Sequence, residues 1–128
     1  MKYIKNLSEP WFSLIKIGAK TCEGRLNKGD FLKMEIGDEI VFENNDLGFK
    51  RNFTVRVTGK KEYKGFSEYL ENEKLSNCLP GIDTQKQGED VYYKYYSKDD
   101  EKNYGVVGIR FVVVTGGKGM RKKSKERK

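Results

Sequence analysis

The chain contains no histidine in its 128 residues. That absence excludes Ser-His-Asp and Cys-His catalytic machinery, zinc sites that need an imidazole, and the histidine-ligated zinc deaminases. Any general base must then be a carboxylate, a desolvated lysine or a tyrosine. Cysteine is scarce too: Cys22 and Cys78 lie far apart and fit no C-x-x-C metal or redox pattern. No metal and no other cofactor is therefore expected. Cys78, in Leu75-Ser-Asn-Cys-Leu79, reads as a buried and inert thiol. Cys22 sits in a charged run where Lys20 and Arg25 are expected to lower its pKa. No apolar run reaches the roughly 18 residues of a membrane span. The opening Met-Lys-Tyr-Ile-Lys-Asn also lacks the apolar core of a secretory signal. The expectation is an intracellular monomer with reduced thiols.

What is present is charge and aromatic surface. The formal net charge is +7, and nearly all of it lies at the C-terminal end. Lys118, Arg121, Lys122, Lys123, Lys125, Arg127 and Lys128 stand there against a single acid, Glu126, which leaves the preceding residues close to neutral. This divides the chain into a folded domain at 1–115 and a basic tail at 116–128, which has no apolar periodicity and is expected to be disordered. Such a tail reads either as a non-specific phosphate binder or as a nuclear-localisation run, which makes the location cytoplasmic or nuclear. Seven Phe, eight Tyr and one Trp give the domain large rings with which to fill one modest core.

Hydrophobic periodicity places the elements. Lys2-Tyr3-Ile4 opens a strand. Residues 9–17 read as a helix capped by Ser8, with Pro10 in its first turn and Trp11, Leu14 and Ile15 on one face. Gly18 is its stop. Thr21 to Leu26 is the next strand, and the Gly37-Asp38 turn leads into a buried strand at 39–43. Phe49 to Thr58 alternates, with Phe49, Arg51, Phe53, Val55 and Val57 on one side, and pairs with 39–43 as a hairpin. Ser67 caps a helix over 67–75 in which Phe66, Tyr69, Leu70 and Glu73 share a face. Tyr92, Tyr95 and Tyr96 share another helical face, and Tyr104 to Val114 is an apolar strand suited to a central position. Several strands with two to three short helices imply an α+β, mainly β fold: a small barrel or curled sheet.

The run Gly18-Ala-Lys20-Thr21-Cys-Glu23-Gly-Arg25 carries the candidate chemistry. It brings two cations and a carboxylate to a helix-to-strand corner, read as a surface corner that seats an anionic or polar ligand. Lys20 either contacts phosphate or acts as a base. Glu23 and Arg25, two apart in a strand, share a face and can pair. A carboxylate beside cations suits a base edge, because it accepts from an exocyclic amino group. Trp11, Tyr63 and Phe66 offer a stacking wall as an alternative to core roles, and the tyrosines at 92–96 offer one for single-stranded bases.

Gly18-x-Lys20-x-x-Glu23-x-Arg25, followed by Gly37-Asp38 before Ile40-Val-Phe42, resembles the ASCH domain family of the PUA-like superfamily. Tyr63-x-x-Phe66-x-x-Tyr69-Leu70, Leu79-Pro80-Gly81 and Tyr95-Tyr96 before the last strand are similar to the same family. The resemblance covers about residues 3–114. It implies a PUA-like β-barrel of five to six strands with flanking helices, and a cleft at the G-x-K-x-x-E-x-R corner that binds RNA or a modified nucleoside through Lys20, Thr21, Glu23, Arg25, Trp11 and Tyr63. Some members resemble amidohydrolases that remove the acyl group from N4-acetylcytidine with a lysine, a threonine and a glutamate, and others have been assigned ribonuclease activity. Lys20 falls on that lysine, whereas Glu23 stands where the threonine nucleophile is expected. The alternative reading is thus a small hydrolase using Lys20 with a carboxylate, Glu23 first, and Glu71 or Glu73 beside it.

Overall fold

The computed structural model describes residues 1–115. Five strands, β1 (Lys2–Asn6), β2 (Cys22–Leu26), β3 (Glu39–Asn44), β4 (Arg51–Tyr63) and β5 (Val106–Thr115), form one curled sheet in the order β1-β3-β4-β5-β2. β1 runs parallel to β3, and the other pairings are antiparallel. The basic tail at 116–128 lies outside the described residues.

The strands follow from period-two burial. Ile40 and Phe42 of β3 face inward with Phe53, Val55 and Val57 of β4, and the two strands pair as the expected hairpin. Phe49 departs from that face: it precedes the strand and is exposed. Arg51 keeps to it, with its guanidinium 4.9 Å from the Phe12 ring centre and bonded to Glu9 and Asn44. β4 also runs past Thr58 to Tyr63. A register shift between Val57 and Gly59 lets it bend and stay paired with β5.

Six helices flank the sheet among the described residues: α1 (Trp11–Lys16), α2 (Gly29–Lys33), α3 (Phe66–Glu73), α4 (Leu75–Cys78), α5 (Gln85–Tyr93) and α6 (Lys98–Tyr104). That is more than the two to three expected. α2 and α4 are single turns, and α6 buries no residue, so none carries the apolar stripe that periodicity detects. α6 is held instead by the Ser97 cap and by Glu101, whose Oε2 accepts the Phe66 N–H at 2.7 Å. Glu101 therefore caps α3, which Ser67 was expected to do. Ser8 likewise gives its backbone carbonyl to Phe12, and the α1 cap comes from the Glu9 carboxylate on Ser13 N at 3.0 Å.

The inside of the sheet packs Phe12 and Ile15 of α1 on Phe42, Phe53, Val55 and Ile109. A second cluster lies under α3 to α5 and includes Phe66, Tyr69, Leu70, Cys78, Leu79 and Tyr92. Trp11 touches both. α3 docks where Gly24 of β2 is paired with Gly108 of β5. A Cβ at Gly24 would lie 2.5 Å from the Tyr69 ring, so the phenol fits only over that glycine pair. This fixes the helical layer against β2 and sets the wall of the cleft described next.

Candidate functional site

α1 ends at a left-handed Gly18, with φ at +84°. The N–H groups of Ala19 and Lys20 then fold back onto the Leu14 carbonyl, and Thr21 N–H bonds Asn77 O at 3.0 Å. This turn sends the Lys20 side chain inward. The corner is therefore not a surface feature: Lys20 is 2 % exposed and Glu23 6 %. A lysine buries its head only when its donors are met. Lys20 Nζ donates to Cys22 O at 2.7 Å and to Cys78 O, and lies 3.2 Å from Glu23 Oε1. Three acceptors thus occupy the three donors of the ammonium.

Glu23 is shared between two cations. Arg25 Nε donates to its Oε2 at 2.7 Å, opposite the oxygen facing Lys20. Burial alone would raise the Glu23 carboxyl, but Lys20 and Arg25 outweigh it and hold it below the ordinary carboxylate value. Arg25 Nη2 reaches Asn6 O at 3.3 Å, and its guanidinium lies 4.7 Å from the Phe31 ring centre. Its remaining N–H groups have no partner among the described residues.

Glu23 and Arg25 line a cleft of about 210 Å³. One wall is Asn6, Leu7, Ser8 and Trp11, and the Lys20 ammonium lies 5.9 Å from the indole. Leu79, Val91, Tyr92, Tyr95 and Tyr96 complete the lining. Phe66 stacks on Tyr92 at 4.5 Å and on Tyr96 at 5.5 Å, which fixes those rings from behind. Tyr95 stays exposed at the mouth.

The cleft thus gathers Trp11, Lys20, Glu23 and Arg25 among the expected residues. It does not gather Thr21 or Tyr63. Thr21 is exposed and faces a different groove, beside Lys16 and Val112. Tyr63 is buried on the far side, where its hydroxyl bonds Glu73 and its ring meets Tyr69 at 5.9 Å. Glu73 is committed there to Arg110 at 2.7 Å, and Glu71 lines another surface, so neither reaches Lys20. Tyr95 and Tyr96 were expected on one helical face with Tyr92, where they also offered a stacking wall. α5 stops at Tyr93, and both follow in the turn, their N–H groups on Tyr92 O.

Cys22 differs from expectation as well. It is buried against Cys78, and its contact with the Cys78 thiol, followed by desolvation, pushes its pKa up rather than down. No group of three His, Cys, Asp or Glu side chains suited to a metal occurs among the described residues. No helix there is long and apolar enough to cross a membrane.

The folded-state depression of Glu23 has a signed consequence. Its contribution to stability is present above the unfolded value, 4.5, and is lost as pH falls through the lower folded value. Other depressed carboxylates share this acid limb, so the difference from Glu23→Gln isolates Glu23. Acid unfolding followed by Trp11 fluorescence should show wild type losing stability below about pH 4.5, and the variant losing less over the same interval. Parallel acid limbs would remove Glu23 as a buried, charge-paired carboxylate.

A search of curated proteins returned no match. Among solved structures, hypothetical protein PH0355 is similar at 37 % identity and a TM-score of 0.80, over 89 % of this chain and all of that one. Protein PF0455 from Pyrococcus furiosus is 36 % identical with a TM-score of 0.73, over 89 % of this chain and 98 % of that one. The ASCH domain from Lactobacillus crispatus shares the fold at 14 % identity and a TM-score of 0.63, over 88 % of this chain and 80 % of that one. The ASCH domain model matches residues 6–115, a span that contains every wall of the cleft. The chain belongs to the ASCH domain family.

Proposed function

We propose that this protein binds an unpaired nucleobase of RNA, or a modified nucleoside, in the cleft beside Glu23 and Arg25, and that the basic tail adds contacts to phosphates. The observation that carries this reading is the buried Glu23 carboxylate, paired with a partly exposed Arg25, opening into an aromatic-walled cleft. A surface ion pair contributes little to stability, and burying one is costly. Here the pair offers an acceptor and unspent donors at a place where a flat ring can lie between Trp11 and the tyrosines. The size agrees. About 210 Å³ lies below the usual range for drug-sized ligands, roughly 300–1,000 Å³, and suits one ring system rather than a base pair.

Recognition is favoured over chemistry by the state of Lys20. Its three donors are spent on Cys22, Cys78 and Glu23, so it acts as an ammonium that orients Glu23. A hydrolytic base would need that lysine neutral and free. Thr21 faces away from the cleft and supplies no nucleophile there.

The test is a titration with a short single-stranded RNA, read by fluorescence of the sole tryptophan, Trp11. Tyr95→Ala removes an exposed ring at the mouth, so folding should be unchanged. Loss of one stacking partner should weaken binding about 5- to 150-fold. Each phosphate neutralised by the tail adds about −0.7 to the salt slope, and removing residues 118–128 should lower that slope. If Tyr95→Ala binds as wild type does and the truncation abolishes binding, the tail alone is the RNA contact and the cleft reading fails.

A further inference from the structure

The cleft coincides with the place where the curled sheet fails to close. β1 and β2 are its two edge strands, and Asn6 and Gly24 from those edges both line the cavity. Strand phase decides which backbone groups are left over there. Phe111 N–H bonds Thr21 O and Asn27 N–H bonds Gly105 O, so the odd-numbered residues of β2 turn their peptide groups toward β5. Cys22, Gly24 and Leu26 then turn theirs to the open edge. The Lys20 bond to Cys22 O agrees with that phase. In β1, Met1 O and Leu7 N–H bond β3, so Asn6 points outward, and its carbonyl takes Arg25.

Along this seam Cys22 O is occupied by Lys20 and Asn6 O by Arg25. The N–H and C=O of Gly24 make no hydrogen bond among the described residues. They lie between Glu23 and Arg25 on the open edge of β2 and line the cleft, while the place of the absent side chain is taken by the Tyr69 ring. We propose that Gly24 reads the ligand: its N–H and C=O pair with an adjacent acceptor and donor on the Watson–Crick edge of a pyrimidine base. The proposal rests on the cleft being a base site.

Uracil offers N3–H beside O4, and cytosine offers its N4 amino group beside N3. Either edge lies against one residue of open strand as a neighbouring strand would. Glu23 and Arg25 are then on either side to take or give one further bond. Because that edge is consumed in a duplex, the ligand must be unpaired. A peptide strand is the other natural partner of an open edge. It would need several consecutive free residues, and here Lys20 already occupies Cys22 O and the Lys28 N–H occupies Leu26 O, the carbonyls that flank Gly24 on the open edge.

Ligand analogues test this, since a side chain at Gly24 would strike Tyr69 and confuse folding with binding. Full-length protein labelled with ¹⁵N is titrated with uridine against 3-methyluridine, and with cytidine against N4,N4-dimethylcytidine. Methylation blocks the donor on the edge and leaves the ring. In at least one pair the unblocked nucleoside should bind about tenfold or more tightly, the size of one unmade buried hydrogen bond. The Gly24 amide proton should also move downfield on saturation. If Trp11 and Tyr95 respond while Gly24 does not, or if the blocked analogues bind equally well, the backbone readout is overturned and the cleft remains a base site. If no nucleoside perturbs any cleft resonance, both readings fall.

Discussion

Replacing Lys20 with methionine should lower folding stability by about 3–5 kcal/mol, the range for breaking a buried ion pair from one side. Methionine restores most of the aliphatic volume, so the loss is not a packing defect. It comes from the groups left behind. The carbonyls of Cys22 and Cys78 lose their shared donor, and Glu23 keeps only Arg25. Each abandoned acceptor is desolvated without a partner, which is the expensive half of a hydrogen bond. Denaturant unfolding with an unchanged slope isolates the stability change. Combining Lys20→Met with Glu23→Gln should recover part of it, because the uncompensated charge is gone. A loss below about 1 kcal/mol would mean that Lys20 is solvated as an ordinary surface lysine is.

Phe66→Ala should be comparably severe, about 3–5 kcal/mol for a fully buried phenylalanine. It also has a functional reading that most core truncations lack. Phe66 lies nearly parallel to Tyr92 and Tyr96, at interplanar angles of 10° and 20°. Without it the tyrosine wall has no backing. Phe66→Leu keeps most of the apolar volume, so thermal melting should show a modest loss. Base binding should fall more than that stability change accounts for, because the rings are free to tilt. If Phe66→Leu binds RNA as wild type does, the wall does not require the stack.

The strands and the Glu23–Arg25 pairing were legible because both depend on neighbours in sequence. Alternation exposes a strand, and two residues apart means one face. Burial of Lys20 was not legible. It requires the Cys78 carbonyl from α4, a contact that no local pattern reports. The same holds for Tyr63, expected at the ligand and found in the core, and for the place of Tyr95 beyond the end of α5. Tyr63 at the end of β4 is drawn into the core by Glu73, and Tyr95, just past α5, is left at the cleft mouth. α6 was invisible for a different reason. Its sequence Lys-Asp-Asp-Glu-Lys-Asn-Tyr buries nothing, and it is held by the Ser97 cap together with the bonds that Glu101 accepts from Phe66 and Tyr93. Gly24 was visible only as a letter inside the G-x-K-x-x-E-x-R run. Its two roles, admitting Tyr69 on one side and leaving a peptide bare on the other, need the register with Gly108 to be seen.

The proposed function requires that one unpaired base enter between Trp11 and the tyrosines. It is tested most directly by a ¹⁵N-resolved titration of full-length protein with a short pyrimidine-rich single-stranded RNA and with the matching duplex, at a salt concentration that suppresses tail contacts. The expected result is saturable shifts of the Trp11 indole N–H and the Glu23, Gly24, Arg25 and Tyr95 amides with the single strand, and none of these with the duplex. Shifts confined to residues 116–128, or equal responses to both nucleic acids, would contradict it.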